Sequence, residues 1–125
     1  HNLLFIDKKL IGYTLLRKRK AIIKNKKKIK KINFLYFDTL IIKKNFRKKK
    51  YSKLLMDINS KKIIKKKLHS FLICSKKITN YYKKFGWKIL DKKKFQLMDH
   101  KSLKIGMTFN KKFKLKKSKL YYYTN

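Results

Sequence analysis

Eleven consecutive residues, Ile32–Ile42 (INFLYFDTLII), carry one charge, Asp38, in a chain where 36% of residues are charged. A run so dense in aromatic and β-branched side chains has no polar face to offer solvent, so it fits a central strand buried on both sides. Such a strand needs partner strands at its edges and covering layers above and below. The rest of the sequence has to supply them.

Upstream, NLLFIDKKLIGYTLLRK places two β-favouring stretches either side of Asp7–Lys9, the pattern of a hairpin whose second strand extends from Leu10 through Leu16 toward Ile23. KNKKKIKK then reads as a solvated loop. Downstream of the central run, Leu54, Leu55 and Ile58 recur at helical spacing, and Ser52 stands where a capping residue would start a helix. SFLICS (Ser70–Ser75) has strand length. Ile78, Tyr81, Tyr82 and Phe85 follow at the offsets of an amphipathic helix, with Gly86 at the stop position. Trp87–Leu90 is expected to re-enter the sheet, IGMTFNKKF to form a last strand, and KLKKSKLYYYTN carries no assignment. The expected order is strand, strand, strand, helix, strand, helix, strand, strand, without internal repeat or linker. This is an α/β (α+β) class with a mixed, mostly antiparallel central sheet flanked by helices.

At 125 residues the chain has room for one domain, 1–125, and its 43% apolar content is enough to build a core despite the charge. Forty Lys and Arg oppose five Asp and Glu, giving +35. Only Arg17, Arg19 and Arg47 are arginines, and the lysines travel with abundant Ile, Asn, Tyr and Phe and no proline, a mixture that fits A/T-rich codon use. Nonspecific polyanion binding at low salt is expected either way. A basic nucleic-acid-binding protein, organellar or ribosomal, is therefore one functional class to weigh. The lone Cys74 excludes an internal disulfide, and no cysteine and histidine spacing suggests a zinc site. Neither a membrane-length apolar run nor a signal peptide is present, so a cytoplasmic setting is expected. The first residue is His1, which suggests trimming or a longer reading frame.

DTLIIKKNFRKKKYSKLLM runs from a strand through a basic loop into a helix start, an arrangement that offers backbone N–H groups and the positive end of a helix dipole to an anion. At this point the sequence resembles the GNAT superfamily of N-acetyltransferases, whose members hold the pyrophosphate of acetyl-CoA on an Arg/Gln-x-x-Gly-x-Gly/Ala loop after the fourth strand. Arg47, Lys50 and Ser52 stand at those positions, so Lys50 replaces the first glycine. FLICSKKITNYYKKFGWKIL is similar to the family's next strand and helix, with Tyr81, Tyr82, Gly86 and Trp87 on a pattern close to Phe-Tyr-x-x-x-Gly-Phe/Trp. KLIGYTLLRKR resembles its third strand. The match spans about residues 1 to 98 and lacks the family's usual N-terminal strand and two helices.

The resemblance implies acetyl-CoA as cosubstrate and an amine acceptor of unknown identity. It implies a cofactor-binding set of Leu40, Ile41 and Ile42 on the strand and Arg47, Lys48, Lys49, Lys50, Tyr51 and Ser52 on the loop. It gives Tyr82 the proton donated to the departing thiolate and Asp38 the proton taken from the amine. Plainer roles stay open for each: a core aromatic for Tyr82, an ion-paired acid for Asp38, a solvated side chain for Arg47. A pseudoenzyme that binds acetyl-CoA without turnover also stays open, because Lys50 adds bulk where glycine lets phosphate approach the backbone.

Overall fold

The computed structural model describes residues 1–110 and 114–125. Two long strands organise it: β2 (Lys9–Lys24) and β3 (Ile29–Ile42) pair antiparallel along almost their whole length. The turn between them is only Asn25–Lys28, where the Asn25 side-chain oxygen accepts from the Lys27 and Lys28 amides at 2.9 and 2.8 Å. The solvated loop expected over KNKKKIKK is thus half turn, Asn25–Lys28, and half strand, Lys24 and Ile29–Lys31. Ile23 and Ile32 pack one side of the ribbon against the core, which leaves its lysines on faces open to water.

β1 (Asn2–Ile6) adds antiparallel to the first half of β2. From Lys50, α1 (Tyr51–Lys65) crosses the sheet and turns its Leu55, Met56, Asn59 and Ile63 inward, while Leu54, expected in the apolar stripe, is 45% exposed. The helix begins one residue before Ser52 and has no side-chain cap, so Ser52 lies within the first turn. β4 (Ser70–Cys74) follows, then α2 (Thr79–Lys83), shorter than expected because Lys76–Ile78 form a separate 3-10 turn. Gly86 ends this segment with φ +84°, and the Trp87 amide reaches back to the Tyr82 carbonyl at 3.3 Å, closing the helix end as expected.

β5 (Lys88–Ile89) is the outer strand on β7 (Ile105–Phe109), which pairs antiparallel with β4. The expected last strand continued into residues 111–113, which lie outside the described residues. Two strands had no counterpart in the sequence reading: β6 (Phe95–Leu97) and β8 (Lys119–Tyr122). β8 pairs antiparallel with Ala21–Lys24 and parallel with β6. The sheet order is β5-β7-β4-β3-β2-β8-β6, with β1 also on β2.

Alternation along β3 and β4 splits the core in two. Leu35, Phe37, Leu72 and Cys74 face the helices with Met56, Tyr82, Trp87 and Met107, and Phe34, Tyr36 and Phe71 face the other way with Leu120 and Tyr122. Phe71 and Tyr122 stack at 3.9 Å between centroids and 10° between planes.

Candidate active site

Asp38 breaks the pairing of β2 with β3: Leu16 opposes Phe37 and Leu15 opposes Thr39, so Asp38 is the extra residue of a bulge. The bulge reverses the alternation, and from there Leu40 and Ile42 lie on the helix side. On its other edge β3 pairs with β4 only at Leu35 and Tyr36. Past Phe37 the two strands part, and among the described residues that edge of β3 has no ladder partner. A cleft of about 390 Å³ opens there.

Leu40, Ile41 and Ile42 form its β3 wall, Arg47, Lys48, Lys50, Tyr51 and Ser52 its loop end, and Tyr81 and Tyr82 its α2 side. The loop is held in place at several points. The Lys43 amide donates to the Ile11 carbonyl at 2.8 Å, Arg47 Nε donates to the Ile42 carbonyl at 3.0 Å, and the Phe46 ring lies 6.3 Å from that of Tyr51. Lys48 and Lys50 adopt left-handed backbone angles, φ +62° and +61°. That is the conformation glycine takes most readily, at the position where the GNAT pattern has one. No acidic side chain occupies the first turn of α1, so Arg47, Lys48, Lys50 and the helix start all present positive potential to the cleft mouth.

The other end is apolar. Tyr82 is nearly buried, its ring 6.1 Å from Phe37 and 6.2 Å from Trp87, and burial, with smaller contributions from Cys74 and Tyr81, pushes its phenol up to about 12. The core position and the place on the cleft wall are therefore compatible. The Tyr81 hydroxyl is enclosed without a hydrogen-bond partner of good geometry; burial raises its phenol, and the neighbouring Ser52 only offsets part of that rise.

Most residues expected at the site thus meet in one cleft: Leu40, Ile41, Ile42, Arg47, Lys48, Lys50, Tyr51, Ser52 and Tyr82. Lys49 does not line it and instead holds its ammonium 5.7 Å from the Phe46 ring centroid. Asp38 also lies outside, its carboxylate 2.9 Å from Arg17 Nε, the ion-paired role left open for it. Phe46, Ile78 and Tyr81 line the cleft without having been expected. Tyr81 carried a signal, since it precedes Tyr82 on the same motif. Cys74 is buried beside Met107, with Sγ to Sδ at 3.7 Å, and burial raises its thiol against a smaller opposing effect of Lys104.

No family model and no curated protein matches the chain. Solved structures do match. The PaiA N-acetyltransferase of Thermoplasma acidophilum, solved with coenzyme A, aligns over 83% of this chain and 55% of its own, with a TM-score of 0.55 and 23% identity. The Bacillus subtilis N-acetyltransferase YlbP, also with coenzyme A, aligns over 86% and 64%, with a TM-score of 0.58 and 12% identity. Escherichia coli ElaA gives 85% and 64%, a TM-score of 0.56 and 17% identity. The chain has the GNAT fold.

It spans 55 to 64% of the length of these three structures. Within the GNAT fold the cleft lies at the parting of β3 and β4, with the basic loop and the start of α1 at its mouth. Hairpin β1–β2, strand β3, helix α1, strand β4 and helix α2 appear in the order the sequence resemblance implied.

Proposed function

We propose that this chain is the acetyl-CoA-binding part of an N-acetyltransferase whose acceptor is a primary amine. The observation that carries the reading is the cleft itself: a cationic, left-handed loop at a helix start, an unpaired strand edge and an apolar wall meet in one space. These parts suit the three parts of the cosubstrate. Arg47, Lys48, Lys50 and the α1 amides would hold the pyrophosphate, the free edge of β3 would hydrogen-bond the amides of the pantetheine arm, and Leu40 and Ile42 would enclose its end. Acetyl-CoA supplies an acetyl group activated as a thioester.

The protein's own part is orientation and proton handling. Tyr82 keeps its proton throughout the neutral range, because enclosure opposes the phenolate. Its Oη can therefore donate a hydrogen bond or a proton to a sulfur anion enclosed in the same cleft, whose proton affinity burial raises in the same direction. The acceptor is a small molecule or peptide amine. Polycationic amines are disfavoured, since a +35 chain repels them at long range.

Titration calorimetry with acetyl-CoA tests this reading. Binding near one-to-one that persists at high salt is expected, and Arg47→Ala should weaken it about tenfold, as loss of a charge-assisted contact does. A control, Lys77→Ala, should leave it unchanged. Binding that disappears with added salt, or falls equally in both variants, would mean that the loop contributes only diffuse charge.

A further inference from the structure

The far half of the β2–β3 ribbon forms a second surface that shares no residue with the cleft lining. One face of this region is closed: Ala21, Phe34, Leu120 and Tyr122 are fully buried there. The other face is open to solvent. Pairing places Lys18, Lys20, Ile22 and Lys24 of β2 on it, opposite Leu35, Asn33, Lys31 and Ile29 of β3, where Leu35 is buried at the edge of the helix-side core and the open part begins beyond it. Across the other edge of β2, Tyr121 opposes Ile22 and Lys119 opposes Lys24, and beyond them Gln96 of β6 pairs with Tyr121. Tyr123 continues β8 on the same side, its amide donating to the Lys20 carbonyl at 3.2 Å. Four adjacent strands, β3-β2-β8-β6, thus form a face on which β2 contributes Lys18, Lys20 and Lys24, β3 Lys31 and β8 Lys119, with two tyrosines beside them.

The surface is shaped as well as charged. A trough of about 590 Å³ runs between Lys18, Lys20, Lys31 and Tyr123, and a second of about 520 Å³, sharing Lys18, continues to Lys62 and Lys66 near the end of α1. Tyr123 is 38% exposed, and Lys119 holds its ammonium 5.6 Å from the Tyr121 ring while bonding Gln96 at 3.2 Å. The molecule has little of its own to neutralise this face. Asp38 is taken by Arg17, Asp57 by Lys53, and Asp99 by the Thr124 and Asn125 amides.

We propose that this open β3-β2-β8-β6 face binds a single-stranded polynucleotide, its lysines on the phosphates and Tyr121 and Tyr123 beneath unpaired bases. Side chains two apart on a strand stand about 7 Å from one another, which gives a backbone of extended nucleotides a regular row of cations to follow. Rings that reach a sheet face, Tyr123 exposed and Tyr121 half-buried beneath the movable Lys119 side chain, offer stacking that a base pair inside a duplex cannot use. The rings are what separate this surface from the rest of a basic exterior.

Fluorescence anisotropy with twelve-nucleotide oligouridine and oligothymidine, a matched RNA duplex and labelled heparin tests the proposal. Tyr121→Ala and Tyr123→Ala are expected to weaken single-strand binding about tenfold each while leaving heparin binding unchanged, and Tyr123→Phe to retain it. Lys18→Gln, Lys20→Gln and Lys31→Gln together should cost more than Lys83→Gln, Lys84→Gln and Lys88→Gln on α2 and β5, with circular dichroism verifying that each variant is folded. Oligonucleotide binding that the tyrosine variants lose while heparin binding persists supports the proposal, and preference between the two oligonucleotides identifies RNA or DNA as the source. Equal loss in both lysine triples, or tyrosine variants that bind single strands as the wild type does, would overturn it in favour of diffuse charge. Binding to phosphatidylserine vesicles that Tyr123→Ala abolishes, with oligonucleotide binding intact, would overturn it in favour of an anionic membrane.

Discussion

At Lys50 the backbone is left-handed in a residue with a Cβ, just where α1 begins and where the cleft needs N–H groups exposed. That conformation costs about 1–2 kcal/mol in a residue other than glycine. Lys50→Gly should therefore raise the thermal midpoint by about 3–5 °C, read by differential scanning calorimetry. No rise would mean that the lysine side chain recovers the cost through contacts of its own. The loop's place between strand and helix was legible from residue types alone, because Arg47, Lys50 and Ser52 fell at the spacing of a known motif. Its interior was not. Lys49 and Lys50 are the same residue type side by side, and only the reversal of φ between neighbours sends one toward the cleft and the other over Phe46. Asp38 shows the same limit: a single acid in an apolar run suggested chemistry, whereas the bulge hands its carboxylate to Arg17.

Strand β7 shows how tightly the elements are fitted. A methyl group at Gly106 would meet the Phe95 ring at 2.6 Å and the Phe71 ring at 3.0 Å, and rings packed in a core cannot swing aside as the end of a flexible chain can. Gly106→Ala is expected to cost about 1–3 kcal/mol in urea unfolding, with Phe95→Leu recovering part of it in a double-mutant cycle. Additive costs would show that the ring is not the obstacle. The elements of the GNAT half were readable because their patterns were strong: one dense apolar run for β3 and a tyrosine motif ending in glycine for α2. β6 and β8 were not, since FQL and KLYY are too short for periodicity to identify and depend on distant partners for their ladder bonds. The extension of β2 toward Ile23 was legible, but the start of β3 at Ile29–Lys31 was missed for a related reason. Its lysines resemble a solvated loop until the alternation of Ile23 and Ile32 toward the core is seen.

On the scale of the whole molecule, burial of phenols sets the response to alkali. Tyr36, Tyr81, Tyr82 and Tyr122 are all raised, chiefly by burial, so an unfolded chain releases these protons near pH 10 while the folded one retains them. Stability linked to them is full below about pH 10 and falls as pH rises past it; for Tyr82 alone, with its phenol at about 12, the loss is about 2 kcal/mol by pH 12. Lysines shed charge over the same range and relieve repulsion, so stability alone would mix the two effects. Absorbance at the tyrosinate band separates them. Four of the eight tyrosines should ionise only as the circular dichroism signal is lost, and eight independent titrations near pH 10 would contradict the buried positions. The pairing of Ala21 with Tyr122 joins positions 101 apart in the chain. Closing so long a loop carries a large entropic cost before any ladder bond repays it, whereas β2 and β3 meet across a four-residue turn. The ribbon should zip early and β8 dock late, so the tyrosine face takes shape only on a ribbon that has already formed.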